Sequence, residues 1–414
     1  MRKDTTEGVR ESRPSFSSLE AAAREKVRGW LQDLLEQEIT EFLGRGRSVR
    51  RAAVDGDSGY RNGYGKQRKL TLSNGTVELR RPRVRGVEGR FESRLLPLFV
   101  RRTPEVSDLL PELYLHGLSS GDFDLALRGL LGEGAPISAS TVMRVKEKWQ
   151  REREAWVSRR LDDLEVVYLW VDGVYVKAGL EKEKAALLVA IAGLSDGSKA
   201  VLAIVAGHRE SMESWSGLLR DLKARGMGSP KLVIGDGHLG IWGALRNVYP
   251  EADWQRCWNH RIVNVLDKIP TKRQPEARAM LRKIPYAETL QEARSLKGQF
   301  QRWCREKGLL EAGRLLDRDW DDIVTFYNFP REHWQHIRTT NVIESPFAAL
   351  RLRTDAAKRF KKVENATAVI WRMLLVAERK FRRLNSPELV REVHLGVKFV
   401  NGERRKEEVR EAVA

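Results

Sequence analysis

The stretch EVVYLWVDGVYVKAG, residues 165–179, decides how the rest of the chain is read. It is dense in β-branched and aromatic residues, the composition of a buried strand. One residue breaks the pattern. Asp172 puts a carboxylate inside the apolar run, and a charge in a central strand is costly unless it is paired or bound to a metal. Downstream, AALLVAIAGL (185–194) and KAVLAIVAG (199–207) read as two more strands, with SDGS as the turn between them. Short turns make the three an antiparallel meander. A helix is expected at 211–225, a fourth strand in KLVIGDG (231–237), a helix in HLGIWGALRNV and a fifth strand in DWQRCW. Residues 165–258 therefore spell β-β-β-α-β-α-β, a mixed five-stranded sheet covered by helices, and the fold class is α/β. A strand that returns parallel after a helical crossover belongs beside the meander. If the fourth strand lies beside the first, Asp172 and Asp236 are neighbours. Strand carboxyl ends in such sheets are common places for ligands. The competing reading makes Asp172-Gly173 and Asp236-Gly237 plain turn dipeptides.

After the sheet, residues 259 to about 335 are helical, with apolar faces of their own such as Ile262, Val265, Leu266 and Ile269. That is long for a connection and reads as an inserted helical subdomain. The chain then reaches RTTNVIESPFAALRLRT (338–354), polar at first and helical afterwards, with Glu344 near the helix start. Two roles compete for Glu344. Asn341-Val342-Ile343-Glu344 matches a capping box, with Asn341 as N-cap and Glu344 at N3, and spacing alone favours this reading. Alternatively, Glu344 joins Asp172 and Asp236 as a third metal-binding carboxylate. Three acidic oxygen donors without His or thiolate suit Mg²⁺, and two such ions serve phosphodiester chemistry. Arg351 and Arg353 are odd neighbours for a mere cap and natural ones for DNA phosphates. A last long helix, about 363–384, ends in ERKFRRL.

Upstream, residues 1–18 read as a loose tail. Apolar residues recur at helical spacing from Leu19 to about Leu43, including Val27, Trp30, Leu31, Leu34, Leu35, Ile39 and Phe42. GRGRSVRRAAVDGDSGYRNGYGKQRK (44–69) has little to bury and reads as a basic loop, along phosphates or simply solvated. KLTLSNGTVELRRPRV (69–84) alternates on both sides of Asn74-Gly75, which is assigned the positive φ angles of a tight hairpin turn. Its return strand carries Arg80, Arg81 and Arg83, which suits a ribbon laid against DNA. Residues 105–156 look helical with a break at GEGAP, either a helix-turn-helix or the commoner plain helical hairpin.

The totals agree with a polyanion partner. Lys and Arg number 75 against 57 Asp and Glu, a formal charge of +18, in a chain of 414 residues. Such an excess draws and steers nucleic acid, the default intracellular polyanion. Two to four domains are expected at this length. No run of about 18 apolar residues occurs, and the N-terminus lacks the apolar core of a secretory signal. Two cysteines are too few for a disulfide framework, so an intracellular, reducing setting is expected. Cys257-x-x-His260 is half of a zinc set without a second pair at suitable spacing. Trp258 between them either packs in the core, the more common case, or stacks on an unpaired base. His238, directly after Asp236 and Gly237, either contacts phosphate or caps the next helix.

GDGHLGIWGAL, QRCWNHRIVNVLDKIP, FYNFPREHWQHIRTTNVIESPFAALRLRT and AERKFRRL closely resemble the Mutator-type transposases of bacterial insertion sequences, over about residues 60–385. The resemblance implies an RNase H-like catalytic fold with a helical insertion, preceded by a mainly helical DNA-binding region. It implies a D-D-E triad on Asp172, Asp236 and Glu344, holding two Mg²⁺ ions, with Mn²⁺ able to substitute. It thereby overturns the capping preference for Glu344, although one residue can do both. The family's C-x-x-H signature falls on Cys257 and His260. Two departures stand out: residues 354–368 lack the TKG and following serine of typical members, and Pro346 stands where a threonine is usual.

The implied layout is a helical and basic region (1–66) and a hairpin plus helix-turn-helix-like DNA-binding region (67–156). The catalytic domain comes in two parts (157–258 and 336–385) around an insertion (259–335), and a tail (386–414) follows. The expected protein is a cytoplasmic, nucleoid-associated bacterial transposase. It binds terminal inverted repeats, frees a 3′-hydroxyl and joins it to target DNA, as a homodimer in the synaptic complex. Arg80, Arg81, Arg83, Arg338, Arg351, Arg353, Lys361 and Lys362 are the expected DNA contacts. A structure-specific nuclease of the same fold and a non-catalytic transposase-derived DNA-binding protein are the alternatives.

Overall fold

A computed structural model describes residues 15–49, 59–87, 91–115, 118, 127–128, 131, 139–178, 185–207, 211–237, 239–356, 360 and 362–405. The chain divides into two compact units, Met1–Val145 and Lys146–Ala414.

In the first unit, helix α1 (Leu19–Leu43) ends at Gly44, whose φ of 60° is the left-handed C-cap that glycine favours. Leu35, Ile39 and Leu43 carry its buried face, whereas Trp30 and Phe42, expected on that stripe, are exposed. The helix packs on a two-stranded antiparallel ribbon, β1 (Tyr60–Leu72) and β2 (Gly75–Arg85). Leu35, Leu70, Val77, Leu79 and Leu96 form the small core between them.

Two corrections to the sequence reading follow. Tyr60 to Lys69, read as part of a basic loop, are the first ten residues of β1. Most of these positions are exposed, so backbone pairing holds the strand and no burial pattern announces it. The turn is also displaced by one residue. Leu72 pairs with Gly75, which leaves Ser73-Asn74 as the connecting pair and puts Gly75, at φ 129°, in the first position of β2. Beyond the ribbon lies α2 (Pro104–Leu115), and after it α3 (Ala139–Val157). The GEGAP break itself, and most of the helix expected before it, lie outside the described residues.

The second unit is built on the expected sheet. Strands β3 (Val166–Val176), β4 (Ala185–Leu194) and β5 (Lys199–Gly207) form the meander. Helix α4 (Met212–Ala224) leads to β6 (Leu232–Gly235), and α5 (Leu239–Val248) to β7 (Asp253–Arg256). The strand order is β5-β4-β3-β6-β7, with β6 parallel to β3 and β7 parallel to β6. Turns of a few residues force the antiparallel pairs and helical crossovers produce the parallel ones. Side-chain alternation then sorts the two faces. Leu169, Val171 and Val233 join Trp215, Leu218, Ile241 and Leu245 in the core beneath α4 and α5. Tyr168 and Trp170 point the other way, where Tyr168 Oη meets His333 Nδ1 at 2.7 Å and Trp170 Nε1 donates to the His336 carbonyl at 3.0 Å.

The insertion is helical as expected: α6 (Trp258–Leu266), α7 (Gln274–Lys283), α8 (Leu290–Glu306), α9 (Leu310–Arg318) and α10 (Trp320–Val324). Phe300, Cys304, Leu281, Leu316 and Ile323 fill its interior. After a short helix α11 (Trp334–Ile337), helix α12 (Asn341–Ala356) packs on β3 and α13 (Val363–Glu378) on β5, so the second face of the sheet is closed by chain that follows the insertion. Residues beyond 385 add a helix α14 (Pro387–His394) and a short antiparallel pair, Phe399–Val400 with Glu403–Arg404, burying Val390, Val393 and Phe399. Among the described residues no helix is long and apolar enough to cross a membrane.

Candidate active site

The register of the parallel pair brings two aspartates together. Trp170 lies opposite Ile234, and Asp172 and Asp236 each follow two residues later. Asp172 shares the parity of Tyr168 and Trp170, so its carboxylate lies on the face covered by the post-insertion helices. Both aspartates are half-buried, and the Gly173 amide donates to Asp172 Oδ1 at 2.8 Å. Gly237, directly after Asp236, has φ 91°, and a side chain there would run into the Arg256 guanidinium. Arg256 is held in turn by Asp319 of the insertion, which also pairs with Arg261.

Glu344 comes to the same face on α12. Ile343, Phe347 and Leu350 are the buried stripe of that helix, and Glu344 sits half-buried at its edge. Pro346 is accommodated as the sixth residue of a continuous helix. The capping box expected from the sequence, Asn341 with Glu344, does not start the helix. Thr340, not Asn341, precedes the helix, and its carbonyl accepts from the amides of Ile343 and Glu344, both at 2.9 Å. Asn341 instead bonds Asn259 of α6 across 2.9 Å.

Thr340 was not singled out from the sequence, yet it is the hub of the site. It is fully buried, and its hydroxyl donates a short hydrogen bond to Glu344 Oε1. The same hydroxyl lies 3.2 Å from Cys257 Sγ and 3.5 Å from His260 Nδ1, while its amide donates to Cys257 Sγ at 3.3 Å. The signal available was the spacing Thr340…Glu344, an i, i+4 pair at a helix start. Cys257 caps α6 and is anchored by its own amide to the Gly235 carbonyl at 2.7 Å, one residue before Asp236. The C-x-x-H pair thus faces Glu344, with His260 Nδ1 3.8 Å from Glu344 Oε1. Among the described residues, Cys257, His260 and Glu344 are the group whose donor atoms lie within 4.8 Å of one another; Asp172, Asp236 and Glu344 do not close to that range as a set.

The electrostatics connect the groups. His260 is pushed up from 6.5 to about 9, first by hydrogen bonding with Cys257 and then by the charges of Cys257, Glu344 and Asp172, with burial opposing. The charged form of His260 is thereby favoured, within the field of both Asp172 and Glu344. A raised folded-state value means that its stabilising contribution is complete below 6.5 and is lost as pH rises through about 9. The stability difference between the wild type and His260→Asn, followed by urea unfolding without divalent metal, should shrink over that window. A difference that stays constant would show that the imidazolium is not what holds this corner.

The other expected contacts are scattered. Trp258 is buried and packs edge-on against Trp320. Arg338 is half-buried, its guanidinium 3.7 Å over the Tyr286 ring and donating to the Pro285 carbonyl. Arg351 is exposed on α12, Arg353 lies in the same helix, and Lys362 is exposed just before α13. In the first unit Arg80 and Arg83 are exposed, while Arg81 is half-buried. The Arg80 backbone is engaged by Gln32 of α1. His238 and Lys361 lie outside the described residues.

One carboxylate within the central strand and another just past the end of its parallel neighbour, faced by an acid-bearing helix, give an α/β protein with an acidic site on its sheet. The chain belongs to the Mutator family of transposases, whose family profile matches residues 3–383. It is 44% identical over 297 residues to the transposase for insertion sequence element IS6120 of Mycolicibacterium smegmatis, covering 72% of this chain and 92% of that one. It is 37% identical to the transposase for insertion sequence element IST2 of Acidithiobacillus ferrooxidans, covering 67% and 94%. A transposase for insertion sequence element ISRM5 of Rhizobium meliloti is 30% identical over 84% of this chain and 85% of its own length. Among solved structures, the Drosophila P element transposase strand transfer complex aligns over 69% of this chain and 84% of that chain with a TM-score of 0.29 and 11% identity, too distant a likeness to define the fold.

Proposed function

We propose that this chain is a DDE-type transposase on an RNase H-like sheet, moving its own insertion sequence by metal-dependent phosphoryl transfer. The observation that carries the reading is the placing of the Glu344 helix against β3, on the face to which Asp172 and Asp236 belong. The donor chemistry fits: three carboxylates are hard oxygen ligands of the kind Mg²⁺ or Mn²⁺ takes, and Asp172, Asp236 and Glu344 would hold the ions. When bound, such ions supply activation of the attacking oxygen and neutralisation of phosphate charge.

In the first step a water oxygen forms a bond to phosphorus at the transposon end. The bond from phosphorus to the 3′-oxygen breaks, and that oxygen leaves as a 3′-hydroxyl. In the second step this hydroxyl attacks a target phosphodiester and displaces the target's own 3′-oxygen, so bonds balance without a covalent protein intermediate. Thr340 donates to Glu344 and holds its carboxylate at the helix start. The His260 imidazolium sets a positive charge beside Glu344, which limits repulsion between that carboxylate and Asp172. Exposed basic residues in each unit, Arg80 and Arg83 in the first and Arg351 and Lys362 in the second, bind terminal repeats and target through phosphates. Two ends favour a two-fold assembly, hence a homodimer in the synaptic complex.

The test is joining. Purified protein with pre-cut ends, target DNA and Mg²⁺ should yield integrated product. Cutting of branched DNA without joining would favour a structure-specific nuclease, and binding without either would leave a transposase-derived DNA-binding protein.

A further inference from the structure

Beside the acidic site, the second unit carries a pocket of about 470 Å³ that the chemistry above does not use. That volume lies in the range of small-molecule sites, roughly 300–1,000 Å³. Its floor is apolar, made by Trp258 and Ile262. Its rim is basic and aromatic: Arg278 and Arg282, one helical turn apart on α7, together with Arg338 and Tyr286. Neither Arg278 nor Arg282 is paired with a carboxylate among the described residues. Tyr286 is 68% exposed. Arg338 covers one of its faces at 3.7 Å and is itself tied to the Pro285 carbonyl at 3.1 Å, so the ring is held in place with its opposite face in solvent. A ring fixed this way offers a stacking surface at little entropic cost.

The pocket and the acidic site share two walls. Trp258 and Ile262 of the pocket alternate along α6 with Cys257 and His260 of the site. Arg338 and Thr339 of the pocket run directly into Thr340, which holds Glu344. The two sets of residues interleave at the start of α6 and adjoin at 339–340, so the pocket and the acidic site are neighbours within the second unit. An aromatic face, an apolar floor and two guanidinium groups without a carboxylate partner among the described residues are the elements that receive an extruded nucleotide: the ring takes the base and the arginines take its phosphate. A base stacked inside a duplex would not reach the Tyr286 ring, so the ligand is an unpaired one.

We propose that this pocket holds one unpaired DNA nucleotide next to the scissile phosphate, its base stacked on Tyr286 and its phosphate on Arg278 and Arg282. The proposal rests on the transposase reading. It adds that strand opening at the cut is built into the helical insertion.

The experiment places 2-aminopurine at successive positions around the scissile phosphate of a transposon-end duplex, and separately along a target duplex. Full-length Asp172→Asn protein holds each complex before cleavage. One position in one of the two duplexes should brighten on binding. Tyr286→Ala should abolish that signal and weaken binding by about 5- to 150-fold, the range of one base–aromatic stack. Tyr286→Phe, which keeps the stacking ring, should restore both, which a loss of folding would not allow. Brightening in the end duplex assigns the pocket to the transposon strand, and brightening in the target duplex to the integration site. No brightening in either duplex, or brightening that survives Tyr286→Ala, while the wild-type protein cuts and joins DNA, overturns the pocket and leaves the enzyme standing. A wild-type protein that neither cuts nor joins removes the reading on which the pocket depends.

Discussion

Glu344→Gln should lower DNA cleavage and joining by about a thousand-fold or more, while DNA affinity is kept or rises. The substitution preserves shape and hydrogen-bonding reach but removes the charge that would bind a metal. Losing one preorganised charge-stabilising group typically costs 10²- to 10³-fold, and a missing ligand in a shared site costs at least as much. The fold should tolerate the change. Glu344 lies at the edge of the buried stripe, not within it, and Thr340 can still donate to an amide oxygen. The loss of stability should stay near about 1 kcal/mol, the worth of one hydrogen bond. Removing a negative charge where phosphate must approach does not weaken binding. Single-turnover cleavage of an end duplex, with filter binding and urea unfolding alongside, reads all three quantities. Full joining activity in the variant would remove Glu344 from the reaction and with it the proposed triad.

Trp170→Ala should destabilise the second unit by about 3–5 kcal/mol, the usual cost of deleting a buried aromatic side chain. Trp170 is fully buried on β3, two residues before Asp172, packed edge-on against Tyr168. Its indole donates to the His336 carbonyl, so the same side chain ties the central strand to the segment that leads into the Glu344 helix. Both the cavity and the orphaned carbonyl count against the variant. Urea unfolding monitors the effect, and Val400→Ala, at an exposed position, should stay within about 0.5 kcal/mol. A Trp170→Ala change of less than about 1 kcal/mol would mean that this face of the sheet is not closed as described.

The middle of the chain was the most legible part. Long apolar runs separated by SDGS and by two helical patterns left few ways to order five strands, and of the two edges of the meander the structure places β6 beside β3. The first ten residues of β1 were illegible for the opposite reason. Tyr60 to Lys69 are mostly exposed and rich in Gly, Arg and Lys, so their side chains carry no period and only the partner strand makes them a strand. The helix start at Glu344 was misread because Thr340 and Asn341 are both good caps; the helix begins after Thr340, whose amide bonds the Cys257 sulfur, and Asn341 bonds the Asn259 amide instead of capping.

By itself the amino-acid sequence determined the order of strands and helices along the chain, the helical stretch after the sheet and the family. All of these depend on local periodicity, on turn length or on motifs that are contiguous in the chain. Tertiary structure alone decided that Cys257 and His260 face Glu344 through Thr340, 83 residues from Cys257, and that Arg338 pins Tyr286 at the mouth of a pocket. Contacts of that kind arise where the chain returns to the sheet after the insertion. They are set by how the helices pack on β3, which no local pattern records.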